Sequence, residues 1–427
     1  MYKNGAAFPV MSSTQLPSTK DIQSTTGSLI QNESTHFGGL KAQTLLDLGA
    51  IPLVNKYHET EEEAMRATKY PLHAKIQEDK TINLTVDVPP EILYSGYKYN
   101  SSVNAPYVEH CRKMFKSFEH LLYGPNRVMD TIIDIGGNDG TLLKAFQKES
   151  QKPLDLINVD ASETFKEANE KAGIHYVNAF FSDELDLPKA NVITSTNVFQ
   201  HTKDIHKFLR GIVKFLDGIW ILEFPYTLRT LQTFQFDQFY HEHYYYWLVA
   251  PLAKLFKAYG LKIIHAQEQD IHGGSMRLWM TNKEPSAPDG AADSFIAEEL
   301  NYNYNFFNTY TQFKIQKDQH YIRHLEGRTA FFGAAAKGCV YMNALNLNIT
   351  NMPETYIVDD TIAKQGYYVG GTGFQIKDRL YLFDDQPDNL IILAHNFKDY
   401  IAQTLRPHYK GRIITMFPDI TVDEYQP

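Results

Sequence analysis

Tyr240-His241-Glu242-His243 sets a phenol, two imidazoles and a carboxylate in consecutive positions, with Phe236 and Phe239 before them and Tyr244, Tyr245 and Tyr246 after. Two chemistries are open to such a cluster. His241 and His243 with Glu242 could ligate a metal, or one histidine could act as a general base tuned by its neighbours. A solvated aromatic loop is the plainer alternative. A second chemical stretch is Asp134-Ile135-Gly136-Gly137-Asn138-Asp139-Gly140. Glycines let backbone approach a ligand closely and adopt positive φ. A dinucleotide loop would read G-x-G-x-x-G, whereas this one reads G-G-N-D-G, and its acids are poor company for a pyrophosphate. They suit a ligand carrying an ammonium and a sulfonium, and Asp160 further on can accept from two ribose hydroxyls. The loop reads as a site for S-adenosylmethionine rather than NAD.

The elements around these stretches alternate. Val128–Ile135 reads as a buried strand, Thr141–Glu149 as a helix, Leu156–Val159 as a strand and Thr164–Lys171 as a helix. Short strands follow at His175–Asn178 and Val192–Ser195, then a helix at Ile205–Phe215 and a strand at Gly218–Glu223. The pattern predicts an α/β fold whose centre is a doubly wound Rossmann-like sheet, with ligands beyond the carboxyl ends of its strands. A helix over Val249–Tyr259 and strands at Lys262–Ala266 and Met276–Thr281 complete it. Upstream, Tyr107–Leu122 has helical spacing, Leu45–Val54 reads as a strand-and-turn unit and Thr81–Val86 as a half-buried strand. Downstream, strands at Thr329–Gly333, Thr355–Val358, Leu390–Leu393 and Arg412–Met416 and helices at Lys337–Leu345 and Tyr400–Leu405 predict a second Rossmann-like unit. The expected division is a disordered tail over 1–38, a small module over 39–100, a cofactor-binding domain over 101–282, a helical linker over 283–325 and a carboxyl-terminal domain over 326–427.

Bulk properties narrow the class. The chain has 427 residues, 43% hydrophobic and 21% charged, as expected of a globular protein. A net charge of −9 argues against binding nucleic acid, which usually needs a basic surface. No apolar run is long enough to span a bilayer. Cys111 and Cys339 are the sole cysteines, too few for a disulfide framework or a cysteine-based zinc site, and they suit the cytoplasm.

With these residues in view, the chain from about Leu45 to Phe417 resembles the sugar C-methyltransferases of deoxysugar pathways. The resemblance is carried by Asp134–Gly140, Asn197-Val198-Phe199-Gln200-His201, Glu223-Phe224-Pro225-Tyr226, Phe236–His243 and His272-Gly273-Gly274-Ser275-Met276-Arg277. Gly333–Gly338, Val358-Asp359 with Lys364-Gln365-Gly366, and His395-Asn396-Phe397-Lys398 extend it. It implies methylation of carbon on a nucleotide-linked 4-keto-deoxysugar with S-adenosylmethionine as donor, and because a sulfonium methyl donor needs no metal activation, no metal is expected. The implied cofactor residues are Tyr97, Tyr99, Asp134, Gly136, Gly137, Asn138, Asp139, Gly140, Asp160 and Asn197. Tyr240, Glu242, His243 and His201 fall on the family's active-site positions. His272, Arg277, Lys337, Lys364, Asn396 and Lys398 are placed toward the sugar nucleotide, with Arg277 equally able to pair with a neighbouring acid. Family members usually open with a zinc module built on Cys-x-x-Cys pairs. Here Leu46-Asp47-Leu48-Gly49 and Val88-Pro89-Pro90 remain but the cysteines are absent, so the module must hold by its own core or by packing on the body.

Carbon methylation beside a ketone needs a base for the α-proton, a donor for the enolate oxygen and a methyl group held in line. Neutral imidazole suits the first task, and His243 is assigned as base. Tyr240 is the enolate donor or proton relay, Glu242 and His201 orient or tune the pair, and His241 is assigned a structural or solvent-facing place. Methylation of a sugar hydroxyl on the same scaffold, and a non-catalytic sugar-nucleotide-binding protein, are the alternatives.

Overall fold

The computed structural model describes residues 42–93, 105–122, 130–271, 273–283 and 290–426. The expected tail, Tyr97, Tyr99 and His272 lie outside them.

Strand β1 (Ala42–Pro52) pairs antiparallel with β3 (Lys69–Gln77), and β3 with β4 (Ile82–Leu84). The turn between β1 and β3 carries the two-residue β2 (Tyr57–His58) and a capped helix, Glu61–Met65. β3 alternates strictly, with Tyr70, Leu72, Ala74 and Ile76 inward. β1 does not, because two register shifts break its period. The fourth strand of this sheet comes from far along the chain: Tyr245 and Tyr246 pair with Asn83 and Ile82.

The central sheet has seven strands. Its parallel part comprises β5 (Asp130–Ile135), β6 (Leu154–Asp160), β7 (His175–Asn178), β8 (Ala190–Thr196) and β9 (Leu216–Pro225). After the short β10 (Tyr245–Tyr246), β11 (Lys262–Gln269) and β12 (Ser275–Thr281) finish it in the order β11-β12-β9-β8-β5-β6-β7. β12 runs antiparallel to both β9 and β11, so the sheet is mixed at that edge. The reason is connectivity: β12 follows β11 by a Gly273-Gly274 turn with both φ values positive, and a tight hairpin can only reverse the chain. Ile132, Ile133 and Ile135 of β5 are all buried, as expected for a strand covered on both faces.

Residues Ala291–Asn301 and Phe307–Arg323 are helical. The last sheet has parallel strands β13 (Thr329–Phe332), β14 (Ile357–Val358), β16 (Ile376–Lys377), β17 (Asn389–Ile392) and β18 (Arg412–Thr415), edged by antiparallel β19 (Thr421–Asp423). β15 (Tyr368–Val369) leaves this unit to pair with β2. One apolar cluster runs from Leu45 and Leu46 through Trp220 and Phe236 to Tyr341 and Ile391, so all three sheets share a core.

Candidate active site

Two sites lie at the carboxyl ends of the central strands. The first is the loop leaving β5. Gly136 has φ +68° and its N–H donates to Val159 O, while Gly137 N–H donates to Asn158 Oδ1 and Asn138 N–H to Asp160 Oδ2. A Cβ on Gly137 would stand 2.5 Å from Asn158 Oδ1 and 2.6 Å from Asp134 Oδ2, so this position admits glycine alone without rearrangement. Asp139 turns inward and accepts from the N–H and hydroxyl of Thr141, starting the helix Thr141–Glu149. Its carboxylate is therefore structural.

Asp134, Asp160 and Asn197 are the acceptors left at this edge. Asp134 takes the Thr194 hydroxyl on one oxygen, while its other oxygen is buried without a hydrogen bond. Burial raises its pKa to about 7. Asp160 sits at the end of β6 and accepts from Asn138 N–H and Ser162 N–H, one per oxygen, which leaves a lone pair on each. Asn197 has φ +55° and an Oδ1 without a partner. A row of unfilled acceptors beside a close-approach glycine turn fits a cationic ligand with ribose hydroxyls. The residues present fit S-adenosylmethionine.

The second site grows from the segment after the helix Thr227–Gln232. A turn at Phe236–Gln238 is clamped by rings: Phe236 stacks on Tyr341 at 5.7 Å and meets Phe417 at 5.6 Å. Phe239 stacks on Tyr246 at 4.1 Å, Tyr240 N–H donates to Tyr246 Oη, and the Tyr246 hydroxyl donates back to Tyr240 O. His243 N–H closes the turn onto Tyr240 O. Because its ends are fixed by β10 and by the aromatic clamp, the loop presents side chains from a rigid frame.

His243 and Tyr240 meet with ring centroids 4.0 Å apart, and His201 lies edge-on to His243 at 4.7 Å. His243 is 3% exposed. Burial, then His201 and Lys337, hold its pKa well below the usual imidazole range, and a ring nitrogen is hydrogen-bonded to the Gln238 backbone. A neutral imidazole has one N–H and one acceptor nitrogen, so the ring can take a proton. His201 is fixed likewise, its Nδ1 donating to Glu242 O at 2.8 Å, with burial lowering its pKa to about 4. Glu242 is 3% exposed, and burial raises its carboxyl to about 7 against the pull of Asn55 and Lys56.

His241 faces the other way, buried against Tyr70 with Nε2 3.2 Å from Pro71 O. It is structural, and the two histidines do not converge. Among the described residues no three His, Cys, Asp or Glu side chains gather in a way that could hold a metal ion.

The residues assigned to the sugar nucleotide divide. Arg277 is buried and pairs with Glu223, its Nε 2.7 Å from Oε2, with His110 Nε2 2.7 Å from the other oxygen. Burial would raise the Glu223 carboxyl, but Arg277 and His110 outweigh it and hold it at about 2. Lys364 pairs with Asp359 at 3.3 Å and donates to Ala334 O. Asn396 comes up to the Gly273 turn together with Gln235. Lys337 opens the helix Ala336–Ala344 one turn before Tyr341, on the face that Phe236 stacks against. Burial lowers the pKa of Lys337 and raises that of Asp237, each opposed by the other's charge.

Three residues join the site that the sequence reading did not assign: Asp237 and His395, which lie within its motifs, and Asn55, which lies outside them. Asp237 is 1% exposed with neither oxygen hydrogen-bonded. His395 Nδ1 is 3.6 Å from its Oδ2, and His395 Nε2 is 3.1 Å from Gln235 Oε1. Asn55 donates its amide to Glu242 Oε1 at 2.9 Å. A charged or amide residue inside an otherwise aromatic run was the available signal for Asp237. The partners of the two acids, His395 for Asp237 and Asn55 for Glu242, come from far along the chain, and no local spacing reveals them.

Comparison with known proteins follows the same lines. A methyltransferase domain matches residues 107–266, and a C-methyltransferase C-terminal domain matches residues 270–418. The chain is 25% identical over 399 residues to C-methyltransferase NovU of Streptomyces niveus, covering 88% of this chain and 93% of that one. The chain is an S-adenosylmethionine-dependent methyltransferase. Among solved structures, this methyltransferase is 13% identical to an S-adenosylmethionine-dependent methyltransferase from Clostridium acetobutylicum, with a TM-score of 0.34 over 42% of this chain and 93% of that one. The magnesium protoporphyrin IX methyltransferase of Synechocystis, solved with S-adenosylmethionine bound, gives 16% identity and a TM-score of 0.31 over 40% of this chain and 79% of that one. The methyltransferase has no described helix long and apolar enough to cross a membrane.

Proposed function

We propose that this methyltransferase acts on carbon beside the ketone of a nucleotide-linked 4-keto-deoxysugar, in the cytoplasm, by base-promoted enolate formation. The observation that carries the reading is His243, 3% exposed, with its ring centroid 4.0 Å from that of Tyr240 and burial favouring the neutral imidazole. Such a histidine accepts a proton and does little else well.

Bound S-adenosylmethionine supplies an electrophilic methyl group on a sulfonium. The acceptor nitrogen of His243 takes the α-proton, and the carbon–hydrogen electron pair moves into the enolate. Tyr240 O–H donates to the enolate oxygen as charge collects there. The nucleophilic carbon would take the methyl group of a bound donor, the sulfur–carbon electron pair staying on sulfur, and the imidazolium of His243 would return its proton to solvent. Asp134, Asp160 and Asn197 would hold the donor, and burial of His243 keeps water from the carbanion.

Asn396 lies close to the Gly273 turn and Gln235, Lys398 begins the helix Lys398–Leu405, and we assign both with His272 to the diphosphate side of the substrate. Lys337, turned toward Asp237 and His243, suits a neutral polar group of the sugar. Arg277 and Lys364 frame the site through their acids.

Solvent deuterium should enter the sugar α-carbon when enzyme and a 4-keto-sugar nucleotide are incubated, which oxygen methylation would not require. In His243→Ala both exchange and methyl transfer should fall at least about a hundredfold with S-adenosylmethionine affinity unchanged. Exchange at the wild-type rate in that variant would remove His243 as base.

A further inference from the structure

Residues Asn55, Lys56 and Tyr57 follow the end of β1 and reach both other units. The Asn55 side-chain amide donates to Glu242 Oε1 at 2.9 Å, and its backbone N–H faces the thiol of Cys339 in the helix Ala336–Ala344. Tyr57 donates its hydroxyl to Ala334 O at 2.6 Å, and β2 continues into the pairing with Tyr368 and Val369. Asn55 adopts φ +58°, a left-handed conformation that asparagine tolerates better than most side chains and glycine tolerates freely. This strained position is thus spent on aiming an amide at a buried acid beside the base.

We propose that Asn55 of the amino-terminal sheet is a positioning residue of the active site, holding the Glu242 carboxyl in place from outside the methyltransferase domain. The inference rests on the assignment of Glu242 to the reacting site. It gives the cysteine-free module a task in the reaction besides its own folding, since without it the acid next to His243 would lose its single hydrogen-bonded side-chain partner among the described residues.

The groups facing Glu242 come from every unit packed on it. Lys56 approaches from the amino-terminal sheet, His201 bonds its backbone, and His243 follows it in the chain. Cys339 and the Lys364–Asp359 pair beyond it come from the carboxyl-terminal sheet. Of these, Asn55 is the one that donates a hydrogen bond to the carboxyl itself, and such a bond favours the ionised form. Its removal therefore displaces the titration of Glu242 to higher pH.

The full-length enzyme with Asn55→Gly keeps the left-handed backbone and loses only the amide. Infrared difference spectra of the carboxyl stretch, referenced to Glu242→Gln, read Glu242 directly. The expected result is a midpoint about one pH unit higher, a displacement of the methyl-transfer pH profile in the same sense, and S-adenosylmethionine affinity by calorimetry within about twofold of wild type. Asn55→Asp, which keeps size and backbone preference but replaces the donor with a carboxylate, should move the midpoint further. It also serves if Asn55→Gly does not fold. An unmoved Glu242 midpoint in a folded variant overturns the proposal. A moved midpoint with an unmoved pH profile overturns it too, and places the fault in the catalytic assignment of Glu242 rather than in the hydrogen bond.

Discussion

The role proposed for His243 rests on three features of its surroundings. The Gln238 backbone favours the protonated ring, burial outweighs it and keeps the imidazole neutral, and His201 presents a second ring that is itself tied to Glu242 O. Glu242 is the complementary case, a carboxyl that burial keeps near half-protonation at neutral pH. Its folded pKa of about 7 lies above the ordinary 4.5, so the native state binds more protons than the unfolded one between those values. Stability from this group is therefore present at pH 4.5 and is lost as pH rises through 7. Glu242→Gln retains an oxygen for the Asn55 amide and cannot ionise. It should stabilise the enzyme at pH 8 by up to about 3 kcal/mol and leave stability at pH 5 nearly unchanged, as denaturant titration at the two pH values would measure. Equal effects at both pH values would show that Glu242 is not held near neutrality.

At the scale of elements, buried charges do structural work that the sequence disguises. Glu299 sits at the end of the helix Ala291–Asn301, is fully buried, and accepts from Val249 N–H and Ala250 N–H at 2.7 Å each and from the Tyr226 hydroxyl at 2.8 Å. It thus caps the helix Val249–Ala258 from a neighbouring helix, where no serine or aspartate in the local sequence could. Glu299→Ala should expose that helix start. We expect amide exchange at Val249 and Ala250 to accelerate by at least about tenfold and stability to fall by about 1–3 kcal/mol, because three donors lose their acceptor. The strands tell the same story in reverse. β3 alternates in plain sight, Tyr70-Pro71-Leu72-His73-Ala74-Lys75-Ile76, yet Pro71 and the flanking charges concealed it from a reading by composition. β5, β6, β8 and β9 were legible because a buried parallel strand is a run of branched residues bounded by glycine or polar turns. The reversal of β12 was not, since strand direction depends on the partner and not on the strand's own pattern.

Over the whole molecule, the amino-terminal sheet is completed by others. β10 supplies its fourth strand, β15 pairs with β2, and the helix Phe307–Arg323 holds β1 through Asn308 Oδ1 accepting from Asp47 N–H and Gln312 Nε2 donating to Asp47 O. Buried Leu45 and Leu46 join the core shared by all three sheets. Packing on the body thus takes the place that metal ligands would fill in a cysteine-bearing module. Residues 42–93 expressed alone should show no cooperative unfolding, and a zinc chelator should not alter the melting of the full-length enzyme. Cooperative melting of the isolated segment would show that its own core suffices.

The sequence by itself determined where the candidate chemistry lies: the glycine loop after β5 with Asp160 beyond it, the Tyr240–Glu242–His243 run and the alternation that makes the central sheet. These are local, because a turn's φ values and a strand's burial follow from adjacent residues. Tertiary structure alone decided which side chains are free to act. It turned His241 away from His243, engaged Arg277 and Lys364 with Glu223 and Asp359, and brought Asn55 and His395 to the acids of the same loop. Ion pairing and desolvation depend on groups hundreds of residues apart meeting in one low-dielectric space, and no spacing along the chain encodes that.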